Sequence, residues 1–220
     1  MNSRGITTSV ALSDQQSTVL KNTYLLLSLT IAFSALMAYV GVMMGAQPNF
    51  LLFLVAVYGS LFAVHSTANS GLGILFSFVF TGSLGYFSAP MLSMILTLSN
   101  GGAIISMALG TTALITFALS MYVLITRKDF SFMGGVLFVG ILVAFITSLV
   151  AMLGGFPMLS VVSSGLFALV SSGMILFHTS NIIHGGERNY ILAATSLFVA
   201  IYNLFISLLH ILSLFGGSRD

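Results

Sequence analysis

Seven long apolar runs follow one another along the chain, each broken from the next by a short cluster of Gly, Pro, Asn, Ser or charged residues. They predict transmembrane helices over residues 24–44, 50–65, 72–88, 103–125, 133–152, 158–178 and 190–214. About 20 apolar residues in a helix already cross the roughly 30 Å hydrocarbon core. Breaks such as Gln47-Pro48-Asn49, Ser99-Asn100-Gly101-Gly102 and Gly154-Gly155-Phe156-Pro157 leave room only for antiparallel neighbours. Pro90 is read as ending the third run. A six-span alternative would make one run re-entrant, the short second run first of all, and would return the C-terminus to the starting side.

Small and polar residues inside the runs recur at helical spacing. Thr30, Ser34, Ala38, Gly41 and Gly45 form one stripe, Ser77, Thr81, Gly85 and Ser88 a second, and Gly140, Ala144, Thr147 and Ala151 a third. Lipid supplies no hydrophobic force between helices, so association depends on residues that allow close approach and on polar side chains that bond across the contact. On the sixth run Ser164, Ala168, Ser171, Ile175 and His178 share a face. On the seventh, Ser196, Ala200, Asn203, Ser207 and His210 share one, with Leu197, Ile201, Leu204, Leu208 and Ile211 turned away. Asn203 falls near mid-bilayer, where an amide is costly against lipid, so it is expected to point into the bundle and bond to a neighbouring helix or trapped water. Any packed bundle needs such stripes. A polar conduction path along Asn203, Ser207 and His178 is the alternative. His178 and His184 read either as interfacial histidines or as a pH switch.

Charge fixes the orientation. Only 5% of the 220 residues are charged and 58% are hydrophobic, against about a quarter charged in soluble domains. No charge lies between Asn22 and Thr126. Basic residues stay on the cytoplasmic side of short loops, and seven crossings place Arg4, Lys21, Arg127, Lys128 and Arg188 on one side against Arg219 on the other. The expectation is a cytoplasmic N-terminal tail (1–22), a transmembrane domain (23–215) and a short outer C-terminal tail (216–220). Ser13-x-x-Gln16 has the form of a capping box, so a short juxtamembrane helix can start there. The polar opening argues against a cleaved signal peptide.

Catalytic chemistry finds few actors. Without cysteine there is neither a disulfide nor a thiolate metal site. His178 and His184 are six residues apart with no Glu between them, unlike the helical zinc-protease motif, and no span holds a carboxylate pair. No enzyme activity, cofactor, metal or nucleic acid is expected. Small-solute transport would call for paired broken helices, and none is visible.

The string from Ser172 to Tyr190, including Phe177-His178-Thr179-Ser180-Asn181-Ile182-Ile183-His184-Gly185-Gly186, carries a resemblance. So do Ser196-Leu197-Phe198, the run Tyr202-Asn203-Leu204-Phe205-Ile206-Ser207, the segment Leu20-Lys21-Asn22-Thr23-Tyr24, the pair Thr81-Gly82 with Pro90, and Thr126-Arg127-Lys128-Asp129-Phe130. Together they resemble the Bax inhibitor (transmembrane Bax inhibitor motif) family, in its bacterial YccA-like branch of FtsH-protease modulators. The resemblance implies an all-α bundle of seven transmembrane helices in which six surround a central last helix. It also implies, for other members, a pH-sensitive calcium leak latched by a carboxylate on the sixth helix paired with one on the seventh. Those positions are His178 and Ala200 here, and a hard cation wants oxygen ligands that neither offers. The expected function is therefore inhibition of a membrane-anchored AAA+ protease of the FtsH type in the bacterial inner membrane, with Met1–Ser17 as a contact segment. The alternative is a pH-sensitive cation (calcium or proton) leak channel. The polar positions expected to matter are His178, Asn181, His184, Asn203 and Ser207.

Overall fold

The computed structural model describes residues 13–216, so Arg4, most of the expected contact segment Met1–Ser17, and the tail with Arg219 and Asp220 lie outside the described residues. Seven helices follow in order: α1 (Asp14–Met43), α2 (Phe50–Thr67), α3 (Gly71–Leu96), α4 (Gly101–Thr126), α5 (Gly134–Gly154), α6 (Pro157–Ile183) and α7 (Tyr190–Gly216). A single 3₁₀ turn, Ser131–Met133, precedes α5, and the described residues contain no strand. Each helix is long and apolar enough to cross a bilayer. This includes α2, whose 18 residues rise about 27 Å. The protein is an all-α, multi-pass membrane protein.

Several helices outrun the spans read from hydropathy. α1 begins at Asp14, because the Gln16 amide donates to Ser13 Oγ at 3.2 Å and the Ser13 amide donates to Gln16 Oε1 at 2.9 Å. This reciprocal cap makes the juxtamembrane helix one piece with the first span. α6 runs on to Ile183, so His178 sits inside it and not at its end.

Pro90 does not end α3, contrary to the sequence reading; the helix continues through it to Leu96. Proline lacks the N–H that Tyr86 O would accept. Leaving the helix in lipid would strand several more backbone groups, so one lost bond is the smaller cost. Gly41 of α1 packs against this spot, where a Cβ would fall 3.0 Å from Tyr86 O and 2.7 Å from Ala89 Cβ.

The predicted stripes on the first and third runs meet. Thr30, Ser34 and Gly41 are buried on α1, as are Ser77, Thr81, Gly85 and Ser88 on α3. The approach is so close that a Cβ on Gly85 would lie 2.1 Å from the Ser34 carbonyl oxygen. Thr30 Oγ1 donates to Leu27 O at 3.0 Å and Ser77 Oγ to Gly73 O at 2.8 Å, each on its own helix, so burial leaves both satisfied.

α7 is the centre of the bundle. From Tyr190 to Ser213 it has no exposed residue, and it packs against α1, α2, α3, α4 and α6. α5 is the exception among its neighbours, since it packs on α6 and makes no contact with α7. Its buried residues, Leu137, Ala144 and Ala151, recur every seventh position as one narrow seam. Phe138, Leu142, Phe145 and Ile146 face outward, as suits a lipid-covered surface.

Loop contacts show which ends lie together. Asn189 Nδ2 donates to Ala68 O at 2.9 Å, joining the α6–α7 and α2–α3 loops, while Asn100 Nδ2 donates to Gly216 O at 2.9 Å at the other end. The start of α1 and the C-terminus of α7 are thus at opposite ends. The described charges in loops, Arg127, Lys128, Asp129, Glu187 and Arg188, all fall at the end where α1 starts, with Asp14 and Lys21 in the opening turns of α1.

Candidate functional site

The polar faces read on the sixth and seventh runs meet at Ser164 with His210 and at Ile175 with Ala200, and Leu204, expected to turn away, joins the second contact because α7 is enclosed on all sides. Toward the C-terminal end of α7, Ser164 Oγ and His210 Nδ1 lie 2.8 Å apart. Further along the seam the contact is apolar: Ile175 of α6 packs with Ala200 and Leu204 of α7, all three sealed from the surface, backed by Ile115 and Leu119 of α4. His178 lies one turn beyond Ile175, half-buried, with its ring edge-on to Phe177 at 5.3 Å between centroids. Its Nε2 is buried and meets no hydrogen-bonding partner among the described residues. At the two positions where the resemblance implies a carboxylate latch, the seam therefore presents a methyl group and an imidazole. No group of three or more His, Cys, Asp or Glu gathers anywhere among the described residues.

Of the two partners expected for Asn203, a neighbouring helix is not the one: the residue is half-buried, its side-chain amide meets no hydrogen-bonding group of another helix among the described residues, and its main-chain carbonyl accepts from Ser207 Oγ at 2.7 Å. Cross-helix polar bonds of α7 are made elsewhere. Tyr202 Oη–H donates to Leu84 O at 3.1 Å, and the hydroxyls of Thr195 and Ser77 meet at 3.4 Å. Both tie α7 to α3.

His178, Asn181 and His184 follow one another along the last turns of α6 and its cap, and no hydrogen bond among the described residues joins them to Asn203 or Ser207. The Asn181 carbonyl accepts the amides of Gly186 at 2.8 Å and Glu187 at 3.1 Å, which closes the α6–α7 turn. Gly185 takes φ +78° there, a left-handed backbone that favours glycine. Ser180 Oγ accepts the Phe130 amide at 2.8 Å and so pins the α4–α5 loop to α6. His184 extends that junction, with Nδ1 2.9 Å from Ser180 O and Nε2 3.2 Å from Arg127 O. In the loop itself Asp129 Oδ1 accepts the Ser131 amide at 2.8 Å. That backbone bond, helped by the Ser131 side chain and the nearby His184, holds the Asp129 carboxyl below its ordinary 3.8. A lowered carboxyl supports the turn at any pH above the ordinary value, and the support fades as pH falls through the lowered one.

Asn189 caps α7 by accepting the amides of Ile191 at 2.9 Å and Leu192 at 3.3 Å, while its Nδ2 holds Ala68 O and Asn69 Oδ1. Losing a cap costs about 1 kcal/mol, and the loop bonds add about as much again. Asn189→Ala should therefore lower unfolding free energy by about 2 kcal/mol in a denaturant titration of the purified protein. Asn189→Asp keeps the cap acceptor and should recover about half of that loss.

Residues 16–217 match the Bax1-I family model, described as Inhibitor of apoptosis-promoting Bax1. The chain belongs to the Bax1-I family. Within it, the chain is 51% identical over 203 residues to the Modulator of FtsH protease YccA of Escherichia coli strain K12, an alignment covering 92% of this chain and 91% of that relative. The figures are the same for the Inner membrane protein YccA of Escherichia coli O6:H1. An uncharacterised protein of Pseudomonas aeruginosa is 47% identical over 213 residues, 96% of each chain. The resemblance read from the α6–α7 string thus extends along nearly the whole of this Bax1-I chain. Sequence reasoning missed Ser180, Asp129 and Asn189 as junction residues. An Asn directly ahead of an apolar helix was a readable cap signal, but a serine bonding an amide fifty positions away leaves no local trace.

Proposed function

We propose that this Bax1-I family member is a regulatory subunit of the inner membrane that restrains a membrane-anchored AAA+ protease of the FtsH type. The observation that carries this reading is 51% identity, over nine-tenths of both chains, to a relative named for modulating that protease. The packing is in keeping with it: the α6–α7 seam is closed by Ile175, Ala200 and Leu204, which leaves no open path between the two helices at that level. The chain acts by contact, within the bilayer and at the loop end that carries Arg127, Lys128 and Arg188. That basic end faces the cytoplasm by the positive-inside rule, which sets the C-terminus on the outer side.

Two measurements test the proposal. The tagged protein should co-purify with the protease from mild detergent, and deleting its gene should shorten the half-lives of the protease's membrane substrates. Failure of co-purification together with unchanged half-lives would falsify the reading. The alternative, a pH-sensitive cation leak along Asn203, Ser207 and His178, has no carboxylate among the residues of its path, and calcium sites usually include carboxylates. Proteoliposomes should pass calcium no faster than empty vesicles at either pH 6 or pH 8. Flux that Asn203→Leu and His178→Ala abolish would instead establish the leak.

A further inference from the structure

Both ring nitrogens of His184 face acceptors. Nδ1 lies 2.9 Å from Ser180 O, and Nε2 lies 3.2 Å from Arg127 O across the gap between the α6 terminus and the α4–α5 loop. A carbonyl oxygen can only accept, so both contacts are hydrogen bonds only when both nitrogens carry protons. The imidazolium meets that condition. Neutral imidazole has one N–H and must give something up.

The neutral ring has two choices. With the proton on Nδ1, the Nε2 lone pair confronts Arg127 O and the link between loop and helix is lost. With the proton on Nε2, the link is kept, but the Nδ1 lone pair confronts Ser180 O and must recruit the Ser180 hydroxyl, 3.3 Å away. That hydroxyl has a single proton, for which Asp129 Oδ1 and Lys128 O also compete at 3.5 Å each. Either way the junction loses a bond on deprotonation. Ser180 Oγ goes on accepting the Phe130 amide in both cases, so the loop is loosened and not freed.

We propose that His184 is a proton-operated clasp, whose charged ring ties the α4–α5 loop to the end of α6 and whose neutral ring slackens the Arg127–Asp129 segment. The charged groups around it are Asp129, with Arg127 and Lys128 beside it in the α4–α5 loop, and Glu187 and Arg188 in the α6–α7 turn. From α1 the ring's side of the junction meets only uncharged residues, Ser13, Gln15, Gln16 and Val19, around a notch of about 150 Å³. His184 is exposed, so its proton exchanges directly with water. Arg127, the residue whose carbonyl is held, has a left-handed φ of +51°, uncommon for a side chain of its size and dependent on what holds it. The clasp stands on this geometry and does not depend on which protein the chain regulates.

Amide hydrogen exchange of the full chain in lipid nanodiscs, corrected for the intrinsic pH dependence of exchange, reads the clasp directly. Protection of residues 127–131 should fall about three- to tenfold between pH 5.5 and 8, following a one-proton curve, as expected for the loss of about one hydrogen bond. His184→Gln should flatten the curve at the high-pH level. If the variants fold poorly, ¹⁵N-histidine spectra of the unmutated protein must show one imidazole whose titration tracks the exchange curve and whose low-pH form has both nitrogens protonated. A flat curve in the unmutated protein, an undiminished slope in His184→Gln, or a histidine titration that does not track the exchange overturns the proposal.

Discussion

Gly85→Ala should cost about 3 kcal/mol of stability, at the upper end of what overpacking costs in a well-packed interior. The added Cβ would sit 2.1 Å from the Ser34 carbonyl oxygen and 2.8 Å from its carbon. Those are main-chain atoms, so no rotamer change relieves the clash and α1 must move off α3. Thr30, Ser34, Thr81 and Ser88 sit in the same contact and would lose close packing together. Gly59→Ala and Gly110→Ala are the controls, since a Cβ at either meets nothing within 4 Å, and each should change stability by less than about 1 kcal/mol, in the stabilising direction expected of helix propensity. Unfolding monitored by helical signal in a denaturing-detergent titration measures all three. Equal stability of Gly85→Ala and the unmutated protein would mean that the two helices do not meet there.

Ala200→Asp is expected to be as damaging for a different reason. Ala200 has no exposed surface and lies between Ile175 and Leu204. A carboxyl group in that contact must either be buried as a charge or take up a proton and remain without a designed partner. An Asp at the centre of a membrane helix costs about 3 kcal/mol, and the closely fitted contact has no room for the larger side chain. The same titration should show the loss, and Ala200→Ser, smaller and able to bond its own helix backbone, should lose less than half as much. A stable Ala200→Asp protein would show that the seam holds space or water at this level, and the closed reading of α6 and α7 would fall with it.

Residue patterns told most about contacts that depend on small side chains. The glycine and hydroxyl stripes of α1 and α3, the Ser13 and Gln16 cap, and the facing polar rows that end in Ser164 and His210 follow from local spacing, because helical periodicity alone decides which residues share a side. Hydropathy located seven spans but not their ends, since helices continue into the interface where composition is mixed. Pro90 misled for a related reason: in water it would mark a boundary, but in lipid the helix persists. The cost of an amide in lipid points to a neighbouring helix or water for Asn203 without choosing between them, and spacing does not show that the bonds from α7 to α3 come from Tyr202 and Thr195, whose partners lie more than a hundred positions away. Nor could periodicity show that α5 leans on α6 alone. That depends on how whole helices are arranged, and one stripe of alanines looks the same on an inner helix and on an outer one.

The single seam of α5 bears on how the molecule comes apart. Six helices interlock through α7, whereas α5 is retained by Leu137, Ala144 and Ala151 along one neighbour and by its short tethers at either end. Melting should therefore begin there, as a separate low-temperature step in which α5 drifts into the surrounding lipid while the remaining helices stay assembled. Calorimetry of this protein would then record two transitions where an all-or-none bundle gives one.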